Sequence, residues 1–378
     1  MDFPSNLLQK MNARRENDSL RSLSLQKELI DFSSNDYLGF AKSTTIFDNT
    51  HTFLIESNYK INGATGSRLL SGNHQLYDEV EKQLSTIHQS ESALIFNSGY
   101  DANVGFFSAV PQRGEIILYD ELIHASIRDG IQLSNAKAYK FKHNDLKDLE
   151  LLLKRYAELV LESDNEIYVV TESVFSMDGD SPDLVAMSQM IKRHNGFFVV
   201  DEAHALGVFN LGLIQKFELE QTVFARIITF GKALGCHGAA ILGSHQLQQY
   251  LVNYARSFIY TTGLSPHALV TIKVAYDQLL RNQERKKLEA NIQFFKVKAQ
   301  EYSLSFIESN SAIHCCVISG NQKVKEVANY LQQEGFDVKP ILSPTVPEGQ
   351  ERLRFCLHSY NSKEEISKVL NLLSIFVA

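Results

Sequence analysis

Apolar positions along the chain fall into two kinds of pattern. Short uninterrupted apolar runs, each closed by polar or glycine-containing residues, recur in ALIFNSG (93–99), EIILYDE (115–121), IYVVTES (167–173), FFVVDEA (197–203) and RIITFGK (226–232). Runs of four or five apolar residues without alternation suit strands covered on both faces, as in a parallel sheet. Helical periodicities lie between them. In NDLKDLELLLKRYAELV, Leu146, Leu149 and Leu153 share one face, with Asn144 or Asp145 available as the N-cap. Strand and helix in alternation predict an α/β domain with right-handed crossovers and a mainly parallel sheet flanked by helices.

From about residue 280 the pattern changes. NQERKKLEANIQFFKVKAQEY predicts a long amphipathic helix, SAIHCCVIS, FDVKPI and RLRFCLH predict short strands, and SKEEISKVLNLLSIF predicts a closing helix. The expected organisation is a large α/β domain over 43–279 and a smaller α+β domain over 280–378. Residues 1–42, a helix and the strand LIDFSSNDYLGF, are too few for a core of their own.

Composition narrows the function classes. The 378 residues are 44% hydrophobic and 21% charged, with a formal net charge of -7, which is ordinary for a globular domain. No long basic block offers a phosphate-backbone footprint, so no nucleic-acid partner is expected. The amino terminus lacks the apolar core of a signal peptide, and no run approaches the ~18 apolar residues of a membrane span. A cytoplasmic location without a membrane partner is the expectation. Cys236, Cys315, Cys316 and Cys356 lack metal-ligand or disulfide spacing and read as core residues, and no metal is expected.

The candidate chemistry lies after the apolar runs. Ser176, Asp201, His204, Thr229 and Lys232 all follow their carboxyl ends, the edge at which open α/β sheets bind ligands. Asp-Glu-Ala-His at 201–204 also occurs at the ATP site of one class of helicases. A phosphate loop, GxxxxGK followed by Ser or Thr, should then precede it. The Gly231-Lys232 pair instead follows it and is succeeded by Ala233, so the helicase reading fails. A lone lysine among small residues, as in TFGKALGCHGAA, most often caps a turn. Here it follows an aspartate strand, with aromatic and histidine elements upstream. That order suggests a pyridoxal 5'-phosphate site, with Lys232 bonding the cofactor aldehyde and Asp201 pairing with the pyridine nitrogen. Thr229 would offer a hydroxyl to the phosphate, and the backbone of NSGYDAN (97–103) would supply anion-binding N–H groups.

The chain resembles the α-oxoamine synthases, pyridoxal-phosphate enzymes of fold type I, over essentially its whole length. The resemblance rests on SSNDYLGF (33–40), GSRLLSGNH (66–74), FNSGYDAN, HAS (124–126), ESVFSMDGD (172–180), DEAHALGVF, TFGKALG, FIYTTGLSP (258–266) and RLRF (352–355), in the family's order. It implies an acyltransferase that condenses an amino acid with an acyl thioester and releases CO2. RRENDSLR (14–21), FKHNDLKDL and SPTVPEGQERLR (343–354) resemble the branch using L-alanine and a pimeloyl thioester, carried by coenzyme A or an acyl carrier protein. Sister members using glycine or serine share every cofactor motif.

Residue roles follow from the resemblance. Lys232 would be both the cofactor-bonding amine and the base for the α-proton. His124 would stack on the ring, while Ser176 and His204 would meet its phenolic oxygen. Gly99 and Tyr100 would hold the phosphate, and Thr262 would reach it from a partner subunit, implying a homodimer with the active site at the interface. Arg354, assisted by Asn35, would clamp the amino-acid carboxylate. Arg21 and Thr345 would contact the acyl substrate. Plainer readings stand beside several of these: His124 as a structural histidine, Arg21 on the solvated face of an amino-terminal helix, and Thr345 as part of a proline-flanked turn. Glu172 could orient a histidine. The chain departs from the family where Leu206 replaces Ser or Thr and Asn210 replaces Gly, both near the site's rim.

Overall fold

The computed structural model describes residues 3–17, 19–21, 23, 28–161, 165–281 and 283–377, with the backbone alone for 158–161. Two compact units result: Asp36–Ser176 with Ser181–Lys286, and Met1–Asn35 with Met177–Asp180 and Lys287–Ala378. The limits at 35 and 286 differ from the 42 and 279 of the sequence pattern. Pairing accounts for the first: Ile30–Asp31 runs parallel to Phe336–Asp337, which ties the amino-terminal segment to the carboxyl-terminal unit.

The larger unit is built on a seven-stranded sheet. Its strands run in the order Ser92–Phe96, Ala239–Gly243, Ala225–Thr229, Phe197–Asp201, Ile167–Glu172, Ile116–Asp120 and Lys137–Phe141. All five predicted runs are strands here, and four of them pair in parallel. Two strands lie outside the predicted set. Lys137–Phe141 is an edge strand, half exposed, whose lysines hide it from an apolar-run criterion. Ala239–Gly243 is antiparallel to both neighbours. It returns directly from Thr229 through the loop that carries Lys232.

Alternate residues of a strand point to opposite faces. Val199 accordingly joins a core with Phe106, Phe107, Ile127 and Leu251. Phe198 and Val200 join another with Leu149, Leu153, Leu184 and Met187. Both faces are covered, so the strand reads as an unbroken apolar run. Each fully buried Val, Leu or Phe contributes about 1.5–3 kcal/mol relative to exposure. The helix Leu146–Leu161 starts where expected, and of the two candidate caps it is Asp145 that acts: its Oδ1 accepts the amides of Lys147 and Asp148.

In the smaller unit, Arg352–Cys356 is the centre of a three-stranded antiparallel sheet between Lys339–Ile341 and Ile313–Val317. Phe32, Phe295, Phe336 and Phe355 are buried beneath it, with ring centroids 6.0–6.4 Å apart. Cys315, Cys316 and Cys356 are free thiols in this core. Among the described residues no helix is long and apolar enough to cross a membrane.

One buried ion pair fixes the backbone as it leaves the sheet after Asp201. Arg226 donates from Nε and Nη2 to Glu202 Oε2 at 2.9 and 2.6 Å, and also reaches the carbonyls of Leu211 and His88. Glu202 Oε1 accepts the Ile214 amide at 2.9 Å. Removing one partner strands the other charge, a cost of about 3–5 kcal/mol. Arg226→Met is expected to lower the urea midpoint accordingly, and an unchanged midpoint would contradict this packing account.

Candidate active site

The carboxyl ends of the central strands gather the polar residues of the larger unit. Asp201 ends its strand and is 5% exposed. Its Oδ2 accepts from Asn103 Nδ2 at 2.9 Å and its Oδ1 from the Ala203 amide at 2.9 Å. Donors on both oxygens are the arrangement of an anionic carboxylate. Asn103 Nδ2 also donates to Ser126 Oγ at 3.0 Å. The Ser126 amide in turn donates to His124 Nδ1, which caps the helix Ala125–Leu133. Nδ1 therefore accepts, the Ser126 hydroxyl 2.7 Å away donates to it as well, and the neutral ring carries its proton on Nε2. Burial lowers the His124 pKa, with Lys232 adding to the effect and Asp201 opposing it.

Lys232 stands on the loop between the antiparallel strands. That loop is closed by Phe230 N–H to Gly238 O, Cys236 N–H to Phe230 O and Gly235 N–H to Lys232 O. Gly235 has φ +59, and a Cβ there would stand 2.1 Å from the Ala41 amide nitrogen, so only glycine fits. Lys232 Nζ is 2.7 Å from His204 Nε2, and His204 Nδ1 is 2.7 Å from Tyr37 Oη. Tyr37 is fully buried and His204 nearly so. A protonated Lys232 makes Nε2 an acceptor, which leaves the Nδ1 proton to point at the tyrosine oxygen.

Gly99 opens the helix Gly99–Ala109, capped by Ser98 Oγ accepting the Asp101 amide. A Cβ on Gly99 would lie 3.6 Å from Thr229 Oγ1, so the bare helix start and the threonine are neighbours. Thr229 Oγ1 donates to Gly238 O and accepts the Gly231 amide. Tyr100 is half exposed, with its hydroxyl donating to Asp129. The Thr262 carbonyl accepts from Asn97 Nδ2 at 2.7 Å, at the end of the strand preceding Gly99. Ser176 is buried. Asn210 adopts φ +60, a left-handed conformation that asparagine tolerates better than most residues, so its replacement of glycine keeps the turn.

The remaining candidates belong to the smaller unit. Arg354 Nη2 donates to Asn35 Oδ1 at 3.0 Å, which joins these two predicted partners. Thr345 is exposed, in a turn closed by its amide on Leu342 O. Arg21 is exposed but lies beyond the amino-terminal helix, which ends at Glu16, and this corrects the helical reading. Ser19 stops the helix by directing its amide and hydroxyl to Arg14 O. A cleft of about 700 Å³ in this unit is lined by Arg14, Asn17, Asn321, Ser343, Pro344 and Glu351.

Sequence reasoning missed Tyr37, Asn103 and Ser126 as site residues. All three sit inside quoted motifs, and Asn103 also follows Gly99 by one helical turn.

The model of the aminotransferase class I and II family matches residues 27–373. The chain belongs to that family. The 8-amino-7-oxononanoate synthase of Emericella nidulans is 39% identical to this family member, over 96% of this chain and 94% of its own. Two solved structures are similar. The Francisella tularensis 8-amino-7-oxononanoate synthase has a TM-score of 0.78 at 26% identity, covering 93% of this chain and 98% of that one. A serine palmitoyltransferase from S. paucimobilis, solved with pyridoxal phosphate bound, has a TM-score of 0.88 at 24% identity, covering 98% and 96%. At that identity it speaks for the fold. The cofactor of this chain is pyridoxal 5'-phosphate. The residues present fit it: an amine on a fixed loop, a buried anion held by two N–H donors, and an uncovered helix start beside Thr229.

The contact between Tyr37 and His204 can be tested by removing it. Tyr37→Phe deletes one hydrogen bond of about 0.5–1.5 kcal/mol, so kcat should fall roughly two- to tenfold with KM unchanged. A shifted pH profile of kcat should accompany the loss. Identical kcat and profile in the variant would show that Tyr37 does not hold His204 for the reaction.

Proposed function

We propose that this enzyme condenses L-alanine with a pimeloyl thioester to give 8-amino-7-oxononanoate, CO2 and the free thiol, in biotin biosynthesis. The observation that carries the reading is the 39% identity, across nearly the full length of both chains, to a curated 8-amino-7-oxononanoate synthase. The site chemistry agrees with it. Pyridoxal phosphate, when bound, supplies an aldehyde for amines and a ring that draws electrons from the substrate Cα.

Lys232 would hold the cofactor through Nζ, and the same amine, when free, would take the substrate α-proton. His204, 2.7 Å from that nitrogen, fixes where Nζ waits, and Tyr37 fixes the ring of His204. Asp201 would pair with the pyridine nitrogen and keep it protonated. The neutral His124 ring would stack on the cofactor, and Ser176 with His204 would hydrogen-bond its phenolic oxygen. The backbone at Gly99 and Tyr100, with Thr229, would hold the phosphate, and Thr262 would do so from the second subunit of a homodimer. Arg354 with Asn35 orients the substrate carboxylate, which leaves as CO2 once the new carbon–carbon bond has formed and the thiol has departed. Arg21 and Thr345 contact the acyl donor, whether coenzyme A or an acyl carrier protein carries it. The reaction takes place in the cytoplasm.

The cofactor motifs are shared with sister synthases and leave a second reading, a sister condensation with glycine or serine. Purified holoenzyme given pimeloyl-CoA with alanine, glycine or serine in parallel separates the two. Thiol release with alanine alone, with a product of the mass of 8-amino-7-oxononanoate, is the expected result. Release with glycine or serine only would replace the first reading by the second. Lys232→Ala should abolish turnover while leaving the protein folded by circular dichroism, and appreciable condensation by it would refute the lysine's role. Asp201→Asn should slow exchange of the alanine α-proton with solvent by at least about a hundredfold, the scale of a lost charge interaction in a dry site.

A further inference from the structure

Glu172 has no part in the reaction as proposed, yet it is buried one strand away from Asp201, in register with it on the neighbouring parallel strand. Adjacent strands lie about 4.8 Å apart, and two dry carboxylates so placed do not both stay charged. Their donors distinguish them. Asp201 has an N–H on each oxygen. Glu172 receives the backbone N–H of His124, while its Oε1 meets no partner among the described residues. A bare, buried carboxylate oxygen is costly when charged and much less so as part of a neutral acid.

We infer that Glu172 is a positioning residue that stays a neutral carboxylic acid, tethering the backbone of His124 and leaving Asp201 as the single anion facing the cofactor ring. The inference rests on the cofactor role of Asp201. The surroundings support it: burial first, then the charges of Asp201 and Asp120, push Glu172 up to about 8, against the opposing pull of Lys232 and the His124 N–H. Asp120 itself is occupied by His143 and by the amides of Leu122 and Asn144. An ionised Glu172 would compete with Asp201 for the one proton available to the pair and weaken the hold on the pyridine nitrogen.

Infrared difference spectroscopy of holoenzyme, wild type against Glu172→Gln at neutral pH, tests the inference directly. Loss of the carbonyl stretch of a protonated acid is the expected result, and loss of carboxylate bands alone would overturn it. If Glu172→Gln does not fold, Glu172→Met, of similar volume, gives the same comparison. A linked readout is stability. A carboxyl raised in the folded state binds a proton that the unfolded chain has released, so stability falls as pH rises from near 4.5 to about 8. Glu172→Gln should flatten that part of the wild-type urea-midpoint profile. It should also change the pH dependence of cofactor absorbance relative to wild type, which a packing role alone would leave in place. Persistence of both features in the variant would count against the inference. Product formation is scored separately: if alanine gives no product while the acid band is present, the condensation reading fails and this inference stands.

Discussion

Arg226 and Glu202 meet in the interior with three charge-assisted contacts around one carboxylate, two from the guanidinium and one from the Ile214 amide. A pair of this kind contributes little net stability against an apolar replacement, and its value is in forbidding other arrangements. Here the forbidden alternatives are other paths for the chain as it leaves the sheet. Asp201 immediately precedes Glu202 and His204 follows it by two residues, so the carboxylate proposed to meet the cofactor and the histidine beside Lys232 are carried by one anchored turn. The polar tetrapeptide thus divides its roles. Its second residue is structural, and its first and fourth line the candidate site.

The same edge shows how a covered parallel sheet shapes a site. With both faces apolar, charged groups are tolerated only where strands end, and each must be satisfied by a fixed neighbour. Asp201 is satisfied by Asn103 and Ala203, His204 by Tyr37 and Lys232, and Asp120 by His143 and two amides. Side chains held this way are preorganised, so little reorientation is required when substrate arrives.

The five unbroken apolar runs were legible because double-sided burial leaves a continuous signature, and the residues after them marked the ligand edge. Lys232, Asp201 and His204 all follow such runs in the sequence. Ala239–Gly243 was illegible because AAILG follows a glycine-rich loop, and short alanine-rich stretches carry little strand propensity. Its antiparallel return nevertheless explains why the lysine loop is tight. Tyr37 and Asn103 were hidden for another reason: a tyrosine in a turn and an asparagine inside a helix acquire meaning only from partners distant in sequence. Arg21 was misplaced because the Ser19 side chain, a local competitor for helix carbonyls, ends the helix early. The join between Ile30–Asp31 and Phe336–Asp337 spans some three hundred residues, and no local periodicity reports such a contact.

The amine beside His204 is proposed as the one that bonds the cofactor. Borohydride reduction of the holoenzyme, followed by proteolysis and peptide mass spectrometry, measures this without assuming any substrate. The pyridoxyl mass is predicted on the peptide containing TFGKALG, at Lys232. Its appearance on a different lysine, or a stoichiometric cofactor that leaves no covalent trace, would contradict the account.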